Sequence, residues 1–196
     1  EGAALELGSG VGLGGFFLLQ MKLLSMHQGS GEVCLTDFDH QVLRNLSIVL
    51  KGARERESDV STESANVAEV LASIHKLDWF DVQDSSLHED LYDRFDFVFG
   101  SALVYNNEMA IALAGICEKL LYTEQGDKKC KEILIVQIKD RPGIGKFMEL
   151  LEAKKDKLHV EVKTVSEDVY DHALSIVSSS SNSPTVDIGE TKILRD

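Results

Sequence analysis

Residues 3–25 read AALELGSGVGLGGFFLLQMKLLS, and the order of residue types in that stretch leaves few folds open to the chain. A short apolar run at residues 3–7 gives way to glycines at 8, 10, 12, 14 and 15, and an apolar, helix-spaced stretch follows at 16–25. A buried strand that turns through glycine into a helix is the opening unit of an open α/β sheet. The alternation continues. Residues 32–36 (EVCLT) read as a second strand ending at Asp37, and residues 41–51 carry apolar side chains at 42, 43, 46, 49 and 50, a helical spacing. A third strand lies within 67–77 and closes on Leu77, Asp78 and Trp79. Residues 95–99 (FDFVF) alternate as a fourth strand, and 109–121 read as a helix. Residues 133–138 (ILIVQI) are continuously apolar enough for a fifth strand buried on both faces. A helix at 144–155 and an alternating sixth strand at 158–165 follow, with 173–177 and 191–194 as rivals for a last strand. Strands alternating with helices predict a mainly parallel sheet. Polar stretches at 52–66 and 178–188 read as flexible loops, and 81–93 as an acidic one.

With 196 residues, 43% apolar and 27% charged, the chain is sized for one globular domain spanning 1–196. It begins at Glu1 and enters a strand almost at once, so a preceding segment is expected to be missing. Lys and Arg number 20 against 33 Asp and Glu, a net charge of -13. That balance disfavours a nucleic-acid partner, because phosphate binding relies on cationic side chains, and favours a basic protein segment. The three cysteines form neither a CxxC pair nor a disulfide framework, which fits a reducing, cytoplasmic compartment, with the nucleus as a second. No apolar stretch reaches about 18 residues, so no membrane span is expected. The six histidines lack metal spacing, and no metal is expected. A monomer is the expected state.

Open parallel sheets bind ligands beyond the carboxyl ends of their strands, near the point where strand order reverses. Four places follow. The first is Glu6-Leu7-Gly8-Ser9-Gly10-Val11-Gly12, where glycine lets backbone approach a ligand and the next helix aims its N–H groups. A dinucleotide pattern fits Gly10, Gly12 and Gly15, two residues late. The E-x-G-x-G-x-G loop that binds S-adenosylmethionine in class I methyltransferases fits Glu6, Gly8, Gly10 and Gly12 without a slip. The second place is Asp37, whose carboxylate suits two ribose hydroxyls of either cofactor, unless it caps the next helix as Asp39 also can. The third is Asp78-Trp79. Trp79, the one tryptophan, offers a flat face to an adenine or fills the core rim, and Asp78 caps a turn or receives the adenine amine. The fourth is Ser101, Ala102 and Tyr105, just past the fourth strand.

Taken in order, ELGSGVG, LTDFDHQVLRNL, LDW and FDFVFGSALVY resemble the seven-β-strand protein methyltransferases of methyltransferase family 16, whose members include lysine methyltransferases. The resemblance covers residues 3 to about 151. It implies an α/β, Rossmann-like, seven-stranded, mainly parallel sheet with helices on both faces. It implies S-adenosylmethionine as cofactor, with Glu6, Gly8, Gly10 and Gly12 around its methionine part and Ser9 among the cofactor-binding residues. Asp37 would hold the ribose, Asp78 and Trp79 would meet the adenine, Phe38 would belong to the same cofactor site, and Ser101 would lie beside the cofactor under the substrate channel. Tyr105 is the catalytic candidate, set to orient an incoming amine. The chain departs from the family at residue 102. Ala102-Leu103-Val104-Tyr105 keeps the Tyr of an acid-x-x-Tyr pattern without the acid.

The function expected is methyl transfer to a protein side chain, lysine first. Ala102 favours one alternative, a catalytically silent cofactor-binding module acting by protein contact. The Gly10, Gly12, Gly15 pattern is the support for another, an NAD-dependent oxidoreductase.

Overall fold

The structure is a computed structural model and describes residues 2–25, 31–58, 71–81, 94–121, 132–154 and 159–163. The chain falls into two units, Glu1–Leu158 and His159–Asp196. In the first lie strands β1 (Ala3–Glu6), β2 (Glu32–Asp37), β3 (Leu71–Lys76), β4 (Phe97–Ser101) and β5 (Glu132–Val136). Between and after them run helices α1 (Leu13–Ser25), α2 (His40–Ser58), α3 (Asn107–Leu121) and α4 (Ile144–Glu152). All strand pairs are parallel, in the order β3-β2-β1-β4-β5. The strand order reverses between β1 and β4, and that is where a crevice opens in such sheets.

The period of two along β2 divides the core. Val33 and Leu35 face Leu46, Val42 and Ile74 together with Phe16, Leu18 and Leu19 of α1. Cys34 faces the other way, into a larger cluster with Leu5, Leu7 and Val98. That cluster takes Ala110, Leu113, Ala114, Cys117 and Leu120 from α3, at i, i+3, i+4, i+7 and i+10, and Phe147 from α4. Helices therefore cover both faces, and each fully buried Leu contributes about 1.5–3 kcal/mol. Side-chain caps start α2 and α3: Asp39 Oδ1 accepts from Gln41 N (2.7 Å) and Val42 N (3.2 Å), and Asn106 Oδ1 from Met109 N (2.8 Å).

Several expectations change. Helix α1 begins at Leu13, inside the glycine run, because it packs so close to the sheet that a Cβ at Gly15 would overlap the Leu35 side chain. Helix α2 continues to Ser58, so residues 52–58 are helical where a loop is expected; Ala, Arg and Glu are strong helix formers however polar the stretch. Strand β4 spans Phe97–Ser101, two residues later than the alternation suggests. Strand β5 is not buried on both faces. Leu134 and Val136 are 49% and 50% exposed, because β5 is the last strand of the sheet among the described residues.

The sheet has five strands among the described residues. Of the second unit, residues 159–163 are described; they form no strand, and Lys163 pairs with Glu161 at 3.2 Å. Residues 158, 164 and 165 of the sixth strand expected at 158–165 lie outside the described residues. The loop at 178–188, the rival strands at 173–177 and 191–194, and residues 59–66 and 82–93 lie outside the described residues.

Candidate active site

The chain leaves β1 through a turn pinned on both sides. Leu7 N donates to Phe99 O of β4 (2.8 Å), and Ser9 N to Thr36 O of β2 (2.7 Å). Thr36 answers with its own N–H to Ser9 Oγ (3.0 Å) and its hydroxyl to Glu6 O (2.6 Å). Gly8, Gly10 and Gly12 have φ of 58°, 53° and 77°, the left-handed region that glycine enters freely. Their surroundings differ. A Cβ at Gly12 would lie 2.5 Å from Leu46 Cδ2, whereas one at Gly10 would meet nothing within 4 Å. Gly12 is a packing glycine, and Gly10 is the one whose backbone faces open space.

Asp37 ends β2 beside that open backbone and is 8% exposed. Its Oδ2 accepts from Gly10 N (3.1 Å) and its Oδ1 from Asp39 N (3.0 Å). Asp39 takes the helix cap, which leaves Asp37 to the crevice. A carboxylate has about four acceptor positions, so these two bonds leave capacity for hydroxyl donors.

Glu6, 6% exposed, stands beneath the first turn of α1. A Cβ at Gly14 would lie 2.5 Å from its Oε1, and one at Gly15 2.7 Å from its Oε2. Burial raises its pKa above the usual 4.5, opposed by the Ser9 hydroxyl and the Gly15 N–H. By strict hydrogen-bond geometry Oε2 has no partner. A buried carboxylate oxygen left orphaned is a costly arrangement that a bound donor relieves.

Trp79 packs against the larger core cluster, and a Cβ at Gly8 would lie 3.4 Å from its Cζ2. It is a wall of the crevice built into the rim of the core. Asp78 Oδ1 accepts from Phe80 N (3.0 Å), which makes it a turn cap. Phe38 is 61% exposed past β2. The Ser9 hydroxyl lies between Thr36 N, from which its oxygen accepts, and the Glu6 carboxyl.

Ser101 is the last residue of β4 and is exposed. Ala102 follows at φ 55°, a conformation costing a non-glycine residue about 1 kcal/mol. The loop is held from β5. Ala102 N donates to Val136 O (2.8 Å), and the Gln137 amide oxygen, assigned by the hydrogen-bond network, accepts from Leu103 N (2.5 Å) and Val104 N (3.0 Å). Tyr105, 52% exposed, carries the Arg141 guanidinium 4.6 Å from its ring centroid. Sequence reasoning missed Gln137 and Arg141; a polar residue just after an apolar strand run was the available signal.

The residues thus brought to one end of the sheet fit a nucleoside cofactor with a cationic amino-acid end. An open glycine backbone, an acceptor carboxylate at the β2 tip, an aromatic wall and an orphaned buried carboxylate oxygen are all present.

The model of a protein family described as lysine methyltransferase matches residues 1–154. No curated protein matches the chain. Among solved structures, the crystal structure of DszA carbon methyltransferase is similar at 20% identity with a TM-score of 0.40, over 59% of this chain and 25% of that one. The chain spans about a quarter of that protein's length.

Proposed function

The chain belongs to the lysine methyltransferase family, and from that premise we propose that it transfers a methyl group from S-adenosylmethionine to a lysine in a basic segment of a partner protein. The observation that carries this reading is the pairing of Gly10 with Asp37. The loop backbone turns toward open space and is fixed by a carboxylate with acceptor capacity to spare.

When bound, S-adenosylmethionine supplies a methyl carbon on a sulfonium, whose C–S bond breaks as the lysine nitrogen forms its C–N bond, leaving a neutral thioether. In this proposal Asp37 accepts from the ribose hydroxyls, Trp79 and Phe38 border the adenine side, and the glycine loop runs under the methionine part, close to Glu6. Lysine has an unperturbed pKa of about 10.4, so the ammonium gives its proton to water before attack. The residues then have to align the amine, and alignment alone is worth roughly 7–11 kcal/mol. Tyr105, half exposed beyond β4, is the side chain assigned to orient it. A net charge of -13 attracts a cationic segment. The proposal is completed by a monomer working in the cytoplasm or nucleus.

The second reading is a silent cofactor-binding module. It rests on Ala102, which stands in a left-handed conformation where the family pattern has an acid. Tritiated S-adenosylmethionine with a lysate, followed by mass spectrometry of labelled proteins, separates the two. Label on lysine supports transfer. Cofactor binding without label supports the silent module.

A further inference from the structure

Tyr105 is exposed, and a phenol reaching into solvent loses orientational freedom only if something holds its ring. Arg141 is in place to do so. Its guanidinium carbon lies 4.6 Å from the centroid of the Tyr105 ring, within the range of a cation–π contact. Nη1 of that guanidinium is buried and has no hydrogen-bond partner among the described residues. The ring face is therefore what the desolvated cation rests on. The arginine is itself fixed. Arg141 N donates to Ile138 O (3.3 Å), and Arg141 O accepts from Ile144 N at the start of α4 (3.2 Å). Gly143, with φ of 92°, passes so close that a Cβ there would collide with the Asn106 carbonyl and lie 2.9 Å from Val104 Cγ1.

The β5–α4 connection and the β4–α3 connection are thus locked together at Val136, Gln137, Arg141 and Gly143. We propose that Arg141 is the positioning residue that holds the Tyr105 ring at the mouth of the crevice, and so sets the approach of the methyl acceptor. This rests on the reading of Tyr105 given above. A planar guanidinium is required, because it stacks on a ring where an ammonium presents only a point charge.

The test has two arms on the full chain. In protein labelled with 15N-arginine, the Arg141 Nε–H resonance should be shifted upfield by the ring current. It should keep that position in Tyr105→Phe and lose it in Tyr105→Leu. In methyl-transfer assays, Arg141→Ala and Arg141→Lys should each lower kcat about tenfold to a hundredfold, with KM for S-adenosylmethionine unchanged. Arg141→Ala should add nothing to the loss already caused by Tyr105→Ala. An Arg141 resonance indifferent to Tyr105→Leu overturns the proposal, and so does an Arg141→Ala variant with wild-type kcat. A wild type without any transferase activity refutes the reading of the site instead, and the resonance alone then decides for or against the role of Arg141.

Discussion

Asp37 accepts a hydrogen bond from the backbone N–H of Gly10 at 3.1 Å, joining the tip of β2 to a turn 27 residues earlier. The same carboxylate takes the Asp39 N–H at 3.0 Å, so one side chain sets both the glycine loop and the entry to α2. Removing it leaves two backbone donors short of an acceptor. Asp37→Ala should cost about 1–3 kcal/mol, read as a lower urea midpoint with an unchanged m-value. Asp37→Asn, which keeps one acceptor oxygen, should cost less.

Gly10 and Gly12 separate binding from stability. Both have positive φ, but a Cβ at Gly12 would press on Leu46 and Phe16 and one at Gly10 would touch nothing. Gly12→Ala should lose more than about 2 kcal/mol by strain and overpacking together. Gly10→Ala should lose about 1 kcal/mol from backbone conformation alone, yet weaken S-adenosylmethionine binding more than tenfold. Thermal melts with and without cofactor measure both.

Glu6 makes the fold pH-sensitive in a defined direction. Its carboxyl titrates above 4.5 in the folded chain because burial disfavours the charge. The unfolded chain therefore ionises first, and the stability present below the unfolded pKa is lost as pH rises through the folded one. Glu6→Gln, which carries no charge, should be more stable than wild type at pH 7, and the gain should vanish as pH falls below the usual carboxylate range. Denaturant titrations of both proteins from pH 4 to 8 measure the difference. A gain independent of pH would contradict this account of Glu6.

Much of this arrangement was legible from residue types. Leu5, Val33 and Val98 alternate with the strand period, and the glycines at 8, 10 and 12 announce a turn that no side chain could make. Asp37 stood at a strand tip, and Asp39 was readable as the rival cap that the structure selects. What could not be read depends on partners distant in sequence. The end exposure of β5 follows from its place in the sheet, which ILIVQI does not encode. The helical course of residues 52–58 was hidden by their polarity. The bond from Thr36 N to the Ser9 hydroxyl oxygen joins residues 27 apart, which residue types alone do not announce. Gln137 and Arg141 act on a loop contributed by another strand.

Cys34 should be inert. It is fully buried, and burial pushes its thiol up to about 11, with Ser73 and Arg94 opposing and Glu32 reinforcing the shift. The thiolate is the reactive form. Iodoacetamide at pH 8 followed by peptide mass mapping should leave Cys34 unmodified in the native chain and alkylate it in urea.

The central claim is that the crevice over β1, β2 and β4 holds S-adenosylmethionine, and calorimetric titration of the folded chain with that compound tests it most directly. One binding site per chain, displaced by the demethylated thioether and weakened more than tenfold in Gly10→Ala, is the predicted result. A folded chain that takes up no S-adenosylmethionine at millimolar concentration, or that binds it equally well after Gly10→Ala, would contradict it.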